Sequence, residues 1–561
     1  MRSAGSKAAV RLVLVDGYVD EPSCFGVPPY ISPHARYAAG AAMAEGAEVE
    51  YWTIDQLRAH PRELEGDALA VLASCSVPGK YLRGAPVTHA ESVALFRAFR
   101  GERVLFGDNA AFGFPDAGGG HATTRADPVQ DHVDHLATRH GDALLRDLFA
   151  GRTPRNRFRT MDEWEEHALL GAGVVAQHPD MRHGIVFAEM DTFLGCVHYV
   201  SGGCHFCSDA KKAPEYRDEA GIVAEAEALH AAGVRHFRLG GQTCFWTYKA
   251  HGVGDTDEPR PNVEATERLL AGVHAAAPER KVLHIDNANP AVLATWPDES
   301  AAIARLLVEH GTDGNIAAFG LESADPVVHE VNNLNATPEQ VMEATRILNE
   351  VSGHRGPSGL PWLLPGINLL YGLPGETAAT YEHNRRFIED LRRSGLRVRR
   401  VQIRQLLPIR GQKETIHPRL KPLFLRQKKA IREELDRPLL REVAPAGTVL
   451  RDVFLEKTEP GITYGRQIAT YALLVGVPYP TDVDRVVDIL VTDHGYRSLT
   501  GVPVPFRVPG ASLKELQALP GVGRKRAVRI KAADPRDAAA FRAALDDPVV
   551  ADALLPHLRF A

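Results

Sequence analysis

The sequence predicts an α/β fold built of several units. These are a doubly wound N-terminal sheet, a central strand–helix barrel, a small β-barrel and a pair of short helices at the C-terminus. Three observations predict it. Short apolar runs alternate with helical stretches from Val10 to Arg404, the pattern of parallel strands joined by crossover helices. After about residue 440 the runs become short and are divided by Gly and Pro, which is all-β patterning. Two helical segments then flank Leu519-Pro-Gly-Val-Gly523. A chain of 561 residues is too long for one core, so roughly three or four domains are expected.

Composition narrows the class. With 44% hydrophobic and 24% charged residues the chain is that of a soluble globular protein. No apolar run approaches the length of a membrane span. The start, Met1-Arg-Ser-Ala-Gly-Ser-Lys7, has no apolar signal segment. A cytoplasmic protein without membrane contact is expected. Six cysteines in so long a chain do not make a disulfide framework, and a reducing compartment favours metal or catalytic use. The net charge of -6 gives no global support for nucleic-acid binding.

Residues 1–150 read as the doubly wound unit. Val10–Gly17, Glu48–Thr53, Ala68–Ala73 and Arg103–Gly107 are strand-like, with helices over His34–Glu45 and Ala90–Phe99. Loops after these strands, Cys75–Gly79 and Gly107–Asn109, fall on the carboxyl edge, where such sheets bind ligands. Cys24 and Cys75 read as ordinary thiols.

Residues 180–415 repeat a strand-then-helix unit. Strands are expected over Gly184–Met190, Arg235–Gly241, Lys281–Asp286, Asn315–Glu322, Gly366–Gly372 and Val398–Arg404, with helices between. Thr337-Pro-Glu-Gln340 carries a capping box with Pro in the first turn. Six parallel strands make a partial or closed barrel whose functional loops lie at the strands' carboxyl ends. The first such loop holds Cys196, Cys204 and Cys207 in a C-x7-C-x2-C spacing. Three soft thiolates suit an iron–sulfur cluster with one iron left open. A structural zinc site is the alternative, with His198 or His205 as fourth ligand. The other strand ends carry Gly240-Gly-Gln242, Asp286-Asn287, Glu322-Ser323, Gly372-Leu-Pro-Gly-Glu376 and Gln405. Cys244 reads as a thiol lining the same pocket.

From Arg392 to Arg432 the chain is dense in Lys and Arg, opposed only by Glu414 between those limits, which favours a polyanion contact. Residues 440–508 contain Thr448–Glu456, Thr463–Ala469 and Asp484–Val491 as strands of a small barrel. There Tyr464, Arg466, Tyr471, Arg485, His494 and Arg497 are candidate nucleotide contacts. Residues 510–561 begin with a Ser512/Glu515 capping box and read as a helix-hairpin-helix. Gly521 and Gly523 allow a tight turn whose N–H groups face a phosphate, backed by Arg524, Lys525 and Arg526. Such contacts position nucleic acid without reading its sequence.

The three-cysteine loop with Phe206 before the last Cys, Gly240-Gly-Gln242, Gly320-Leu-Glu-Ser323 and Tyr371-Gly-Leu-Pro-Gly-Glu-Thr377 resemble the radical SAM superfamily. The first cysteine gap departs from its commonest spacing. It matches a subgroup that carries a C-terminal helix-hairpin-helix and includes an archaeal enzyme of archaeosine formation in tRNA. The resemblance implies a [4Fe–4S] cluster on Cys196, Cys204 and Cys207, and S-adenosyl-L-methionine (SAM) on its open iron. Gly240, Gly241, Gln242, Glu322 and Ser323 would contact SAM, with Asn287 and Gln405 as weaker candidates. It implies one-electron cleavage of SAM to a 5′-deoxyadenosyl radical, a tRNA substrate, an electron donor and a partner lysine transferase. The N-terminal unit resembles the Rossmann-like domain that binds cobalamin in several members, but the Asp-x-His-x-x-Gly signature is absent and no cobalamin is expected. The 440–508 unit loosely resembles the small RNA-binding (TRAM-like) barrel of tRNA methylthiotransferases. Two other readings remain at this level: another radical tRNA modification such as methylthiolation, and a zinc-stabilised nucleic-acid-binding protein.

Overall fold

The structure, a computed structural model, describes residues 10–19, 29–74, 82–115, 123–124, 127–207, 209–406 and 416–560. Cys24, the Cys75–Gly79 loop, Arg410, Lys413 and Glu414 lie outside them.

The N-terminal sheet is parallel. Its order is Glu48–Thr53, Arg11–Val19, Ala68–Ser74, Glu102–Phe106, His135–Ala137. Both faces are apolar, as a parallel sheet requires. Val13, Val15, Val71 and Leu105 pack under the helices Ile54–Ala59 and His89–Ala98. Leu12, Leu14, Ala70 and Val104 face the other way, into a core shared with the second unit.

That second unit is the expected run of six parallel strands. Phe187–Asp191, His236–Gly240 and Val282–Ile285 form one half; Asn287–Ala288, Asn315–Glu322, Leu363–Tyr371 and Arg400–Gln405 form the other. The chain passes between halves at Asp286, so one sequence strand serves both. Apolar side chains of these strands, Met190, Leu239, Ile285, Phe319, Ile367 and Val401 among them, point outward to the helices. The alternate positions point inward and are unusually polar: Glu189, Arg238, His284, Asp286, Gln402 and Arg404. Period-two alternation in a strand forces this division.

The two units share a core. Tyr30–Ile31, from the N-terminal unit, adds a parallel strand to Phe187–Ala188. Helix Pro33–Met43 crosses helix Met161–Gly171 at glycines: a Cβ on Gly171 would stand 1.9 Å from the Arg36 carbonyl oxygen, and one on Gly40 2.0 Å from that of His167. The helices Gly141–Phe149 and Met161–Gly171 were missed in sequence because their apolar stripes sit among many charges. They bind the sheet to the barrel.

The small unit is a closed five-stranded barrel, in the order Val449–Glu459, Ile462–Gln467, Leu474–Val477, Ser498–Val504, Arg485–His494. Leu474–Val477 and Ser498–Val504 are additions to the three strands read from sequence. The C-terminal helices Leu513–Gln517 and Arg524–Ala533 pack on this barrel's core through Leu516, Leu519, Val522 and Ile530. The expected capping boxes at Thr337 and Ser512 both form. No helix among the described residues is long and apolar enough to cross a membrane.

Candidate functional site

The Phe187–Asp191 strand delivers the cysteine loop. Phe193–Leu194 pairs antiparallel with Glu215–Tyr216 and closes the loop's base. The Cys196 N–H donates to the Lys212 carbonyl at 3.0 Å, and that of Cys207 to Cys204 at 3.1 Å. Gly195 (φ +91) and Gly203 (φ +69) are required: a Cβ would stand 2.4 Å from the Ala213 carbonyl oxygen and 2.0 Å from that of Ala210.

The long first gap is an ordered 3-10 turn, Val197–Ser201. His198 pins it. Its Nε2 donates to the Asn333 carbonyl at 2.8 Å, and its Nδ1 faces the Asp257 carboxylate and the Ser201 hydroxyl, each at 3.1 Å. Asn333 in turn donates to the Ser201 and Gly203 carbonyls at 3.1 Å. Both imidazole nitrogens are therefore engaged, which removes His198 as a fourth zinc ligand. His205 is exposed.

The three thiols are half-buried. Burial pushes each pKa up, Cys204 to about 12 with Cys207, Glu322 and Cys196 adding to the rise. Thiolates so placed need positive charge beside them. Cys204 and Phe206 also pack against an apolar patch of Val328, Leu334, Leu370, Leu373 and Leu406, which keeps water away. Among the described residues no three His, Cys, Asp or Glu side chains converge on one ion. Cysteine thiolates are the usual protein ligands of iron–sulfur clusters, and one loop here supplies three of them. The donor set fits such a cluster.

The strand ends surround this loop. The Gly241 N–H donates to Glu189 Oε1 at 3.2 Å, and a Cβ on Gly240 would stand 1.7 Å from the same oxygen. Gly241 (φ +72) is exposed at the mouth. The Thr243 hydroxyl donates to the Gly195 carbonyl at 2.9 Å and ties this turn to the cysteine loop. Asn287 donates to the Gln242 carbonyl at 3.1 Å. Glu322 ends its strand at a bulge with φ +60, a strained conformation for a side-chain-bearing residue. Burial raises its pKa to about 7, with Arg404 opposing the rise.

Three expected SAM contacts carry hydrogen bonds within the protein. The Gln242 amide is buried, accepting from the Thr192 hydroxyl at 3.0 Å and donating to the Leu239 carbonyl at 2.9 Å, so it braces the turn. The Ser323 hydroxyl is buried and accepts from the Asp325 N–H at 3.2 Å. Gln405 Oε1 accepts from Lys421 at 3.2 Å. Cys244 is a buried wall thiol that accepts from the Asn289 N–H at 3.1 Å; burial raises its pKa to about 11. The polar inner face was not picked out from the sequence. Its signal was present in Phe187-Ala-Glu-Met-Asp191 and His236-Phe-Arg-Leu-Gly240, where charges alternate with apolar residues.

At the C-terminus, Gly521, Gly523, Arg524 and Lys525 are exposed. Gly521 has φ +73, and Gly523 starts the helix with no side-chain cap and open space where a Cβ would lie. Arg526 is instead a staple, donating to the Gly521 carbonyl at 2.8 Å and to Asp547 at 2.6 Å. The basic run divides. Arg399, Arg400 and Arg404 belong to the barrel's last strand or its approach, whereas Arg419, Lys421, Arg426 and Lys429 are exposed. In the small barrel, Arg466 is paired with Glu456, Arg497 with Asp436, and His494 with the Ala444 carbonyl. Tyr471 is buried against Asp286. Tyr471 and His494 are buried by these contacts, Arg466 is nearly so, and Arg497 keeps half of its side chain exposed.

The chain is similar to several known proteins. An "uncharacterized protein" of Methanocaldococcus jannaschii is 40% identical over 512 residues, covering 88% of this chain and 93% of that protein. Another, of Archaeoglobus fulgidus, is 37% identical over 532 residues, covering 92% and 94%. Among solved structures, the radical S-adenosylmethionine methyltransferase TsrM of Kitasatospora setae aligns over 71% of this chain and 73% of its own, with 15% identity and a TM-score of 0.45. The cobalamin-dependent radical enzyme OxsB aligns over 68% and 52%, with 13% identity and a TM-score of 0.47. The family model of the radical SAM superfamily matches residues 192–388, the stretch from the cysteine loop to the helix after the fifth strand. The stretch 192–388 is a radical SAM domain, and the superfamily of that domain works with a [4Fe–4S] cluster and SAM.

Proposed function

We propose that this radical SAM enzyme modifies tRNA, and that its reaction is the final C–N cleavage of a lysine adduct of 7-cyano-7-deazaguanine, giving archaeosine. Cys196, Cys204 and Cys207 would hold the cluster. Gly240, Gly241, Asn287 and Glu322 would line the SAM site. When bound, cluster and SAM supply a 5′-deoxyadenosyl radical that takes a hydrogen atom from the substrate. The protein's own part is to orient and to exclude water. The glycine turn lets backbone approach the amino-acid end of SAM, and the Glu322 carboxylate accepts hydrogen bonds from hydroxyl or ammonium groups. The patch under Cys204 and Phe206 screens the loop from solvent.

The observation that carries the RNA reading is the exposed turn Gly521–Lys525. An uncapped helix N-terminus with free space and two exposed cations is built to receive a phosphate. The exposed cations of helix Lys421–Ala430 add a second basic face. Methylthiolation would need three further cysteines for a second cluster. Of six in the chain, three are in the loop and Cys244 is buried, leaving Cys24 and Cys75. A lysine transferase that makes the adduct and a one-electron donor are the partners this reading requires.

The test is mass spectrometry of tRNA nucleosides from a deletion strain. Loss of archaeosine with accumulation of the lysine adduct supports the assignment. Unchanged archaeosine and no adduct defeats it.

A further inference from the structure

The loop joining Ile462–Gln467 to Leu474–Val477 leaves the small barrel and enters the inner face of the catalytic one. Thr470 is fully buried, its hydroxyl 3.0 Å from His284 Nδ1. Tyr471 is 5% exposed and packs on Ile316 and Ala318, inward-facing residues of the fourth strand. The Arg400 guanidinium lies 4.3 Å over its ring. The Tyr471 hydroxyl donates to Asp286 Oδ1 at 3.1 Å.

From there a chain of buried polar contacts runs across the barrel. Asp286 Oδ2 pairs with Arg238. Arg238 Nε stands 3.5 Å from Glu189 Oε1. That oxygen accepts the Gly241 N–H and abuts Gly240, while the other Glu189 oxygen accepts from the Tyr30 hydroxyl. Asp286, Arg238 and Glu189 are all at least nine-tenths buried. In a low-dielectric interior each member fixes the next, because a displaced charge would be left unpaired.

We propose that Tyr471 is a positioning residue for the Gly240–Gly241 turn, acting through Asp286, Arg238 and Glu189. The small C-terminal barrel is then a working part of the catalytic centre and not an appendage that only captures substrate. This rests on the reading that the turn contacts SAM.

The test uses full-length, cluster-reconstituted enzyme. Tyr471→Phe keeps the ring, its packing and its Arg400 stack, and removes only the hydroxyl. Its SAM dissociation constant, by equilibrium dialysis, should rise about two- to tenfold, the effect of one lost hydrogen bond of ordinary strength. Iron content and unfolding temperature should stay near those of the parent. The change that SAM produces in the EPR spectrum of the reduced cluster should need correspondingly more SAM. Asp286→Asn should weaken SAM binding in the same direction, and the double variant should be no worse than the poorer single, because both cut one chain. Tyr479→Phe, elsewhere in the small barrel, should bind SAM as the parent does. Parental SAM affinity in Tyr471→Phe, additive losses in the double variant, or an equal loss in Tyr479→Phe would each overturn the proposal. Failure of the parent enzyme itself to bind SAM would overturn the underlying reading of the turn instead.

Discussion

Glu322 and the three loop cysteines share one electrostatic situation: groups whose ionised form is an anion, half-buried, with Cys204 feeling the other three, so that each pKa is raised. Replacing Cys196, Cys204 or Cys207 singly by Ser should remove bound iron and sulfide from reconstituted protein, as assayed directly, because a hard hydroxyl is a poor iron–sulfur ligand. A quieter residue makes a pH prediction. His236 is buried on the second strand beside Phe187, and burial lowers its pKa from 6.5 to about 3. The unfolded chain therefore binds a proton that the folded chain refuses between these values. Stability from this residue is full above about pH 6.5 and is lost as pH falls toward 3. At about pH 4.5 the loss is roughly 2–3 kcal/mol. His236→Phe should flatten that part of the profile, measured as urea midpoints from neutral pH downward. At this scale the cysteines, the glycine turn and Glu322 were legible in the sequence. That the Gln242 and Ser323 side chains turn inward was not, because whether an amide or hydroxyl is spent on a neighbouring backbone group depends on where that backbone goes.

Among the elements, the C-terminal turn separates two roles for adjacent cations. Arg524→Ala with Lys525→Ala should weaken binding of bulk tRNA and lower the salt slope of log K by up to about 2, with little change in unfolding temperature. Arg526→Ala should leave that slope nearly unchanged and cost about 1 kcal/mol of stability, since it unties the turn from Asp547 in a partly exposed pair. Gly521→Ala forces a Cβ to 2.7 Å from Val550 at φ +73 and should cost about 1–2 kcal/mol. Element types and many boundaries were readable here. Glu48–Thr53 and Asn315–Glu322 fall on the residues expected. Leu474–Val477 is too short to stand out, and Ser498–Val504 is interrupted by Gly and Pro; both become strands because barrel closure offers them partners.

For the molecule as a whole, the N-terminal sheet and the catalytic barrel fold as one body. Glu225, on the first barrel helix, is fully buried between Arg36 of the N-terminal unit and Arg217. Its two guanidinium partners hold its carboxyl below the usual range against the effect of burial. Glu225→Gln would leave two buried cations short of charge and should cost about 3–5 kcal/mol. Thermal unfolding should show a single transition for these two units, and a chain beginning at residue 151 should not yield a folded barrel. Two separate transitions, or a soluble truncated barrel that binds iron, would contradict the shared core.

The sequence by itself determined the fold class, the order of the units, the three thiols and the glycine turn between the two C-terminal helices. Each follows from local information: periodicity, spacing, and residue types with narrow chemistry. Only the tertiary structure decided that the first two units share one core, that His198 pins a turn with both ring nitrogens engaged, and that Tyr471 reaches the catalytic interior. These depend on pairings between residues far apart in the chain, such as His284 with Thr470 and Arg36 with Glu225. A polar side chain in a strand announces that it needs a partner, but the identity of that partner is set by which distant segment the packing brings to it.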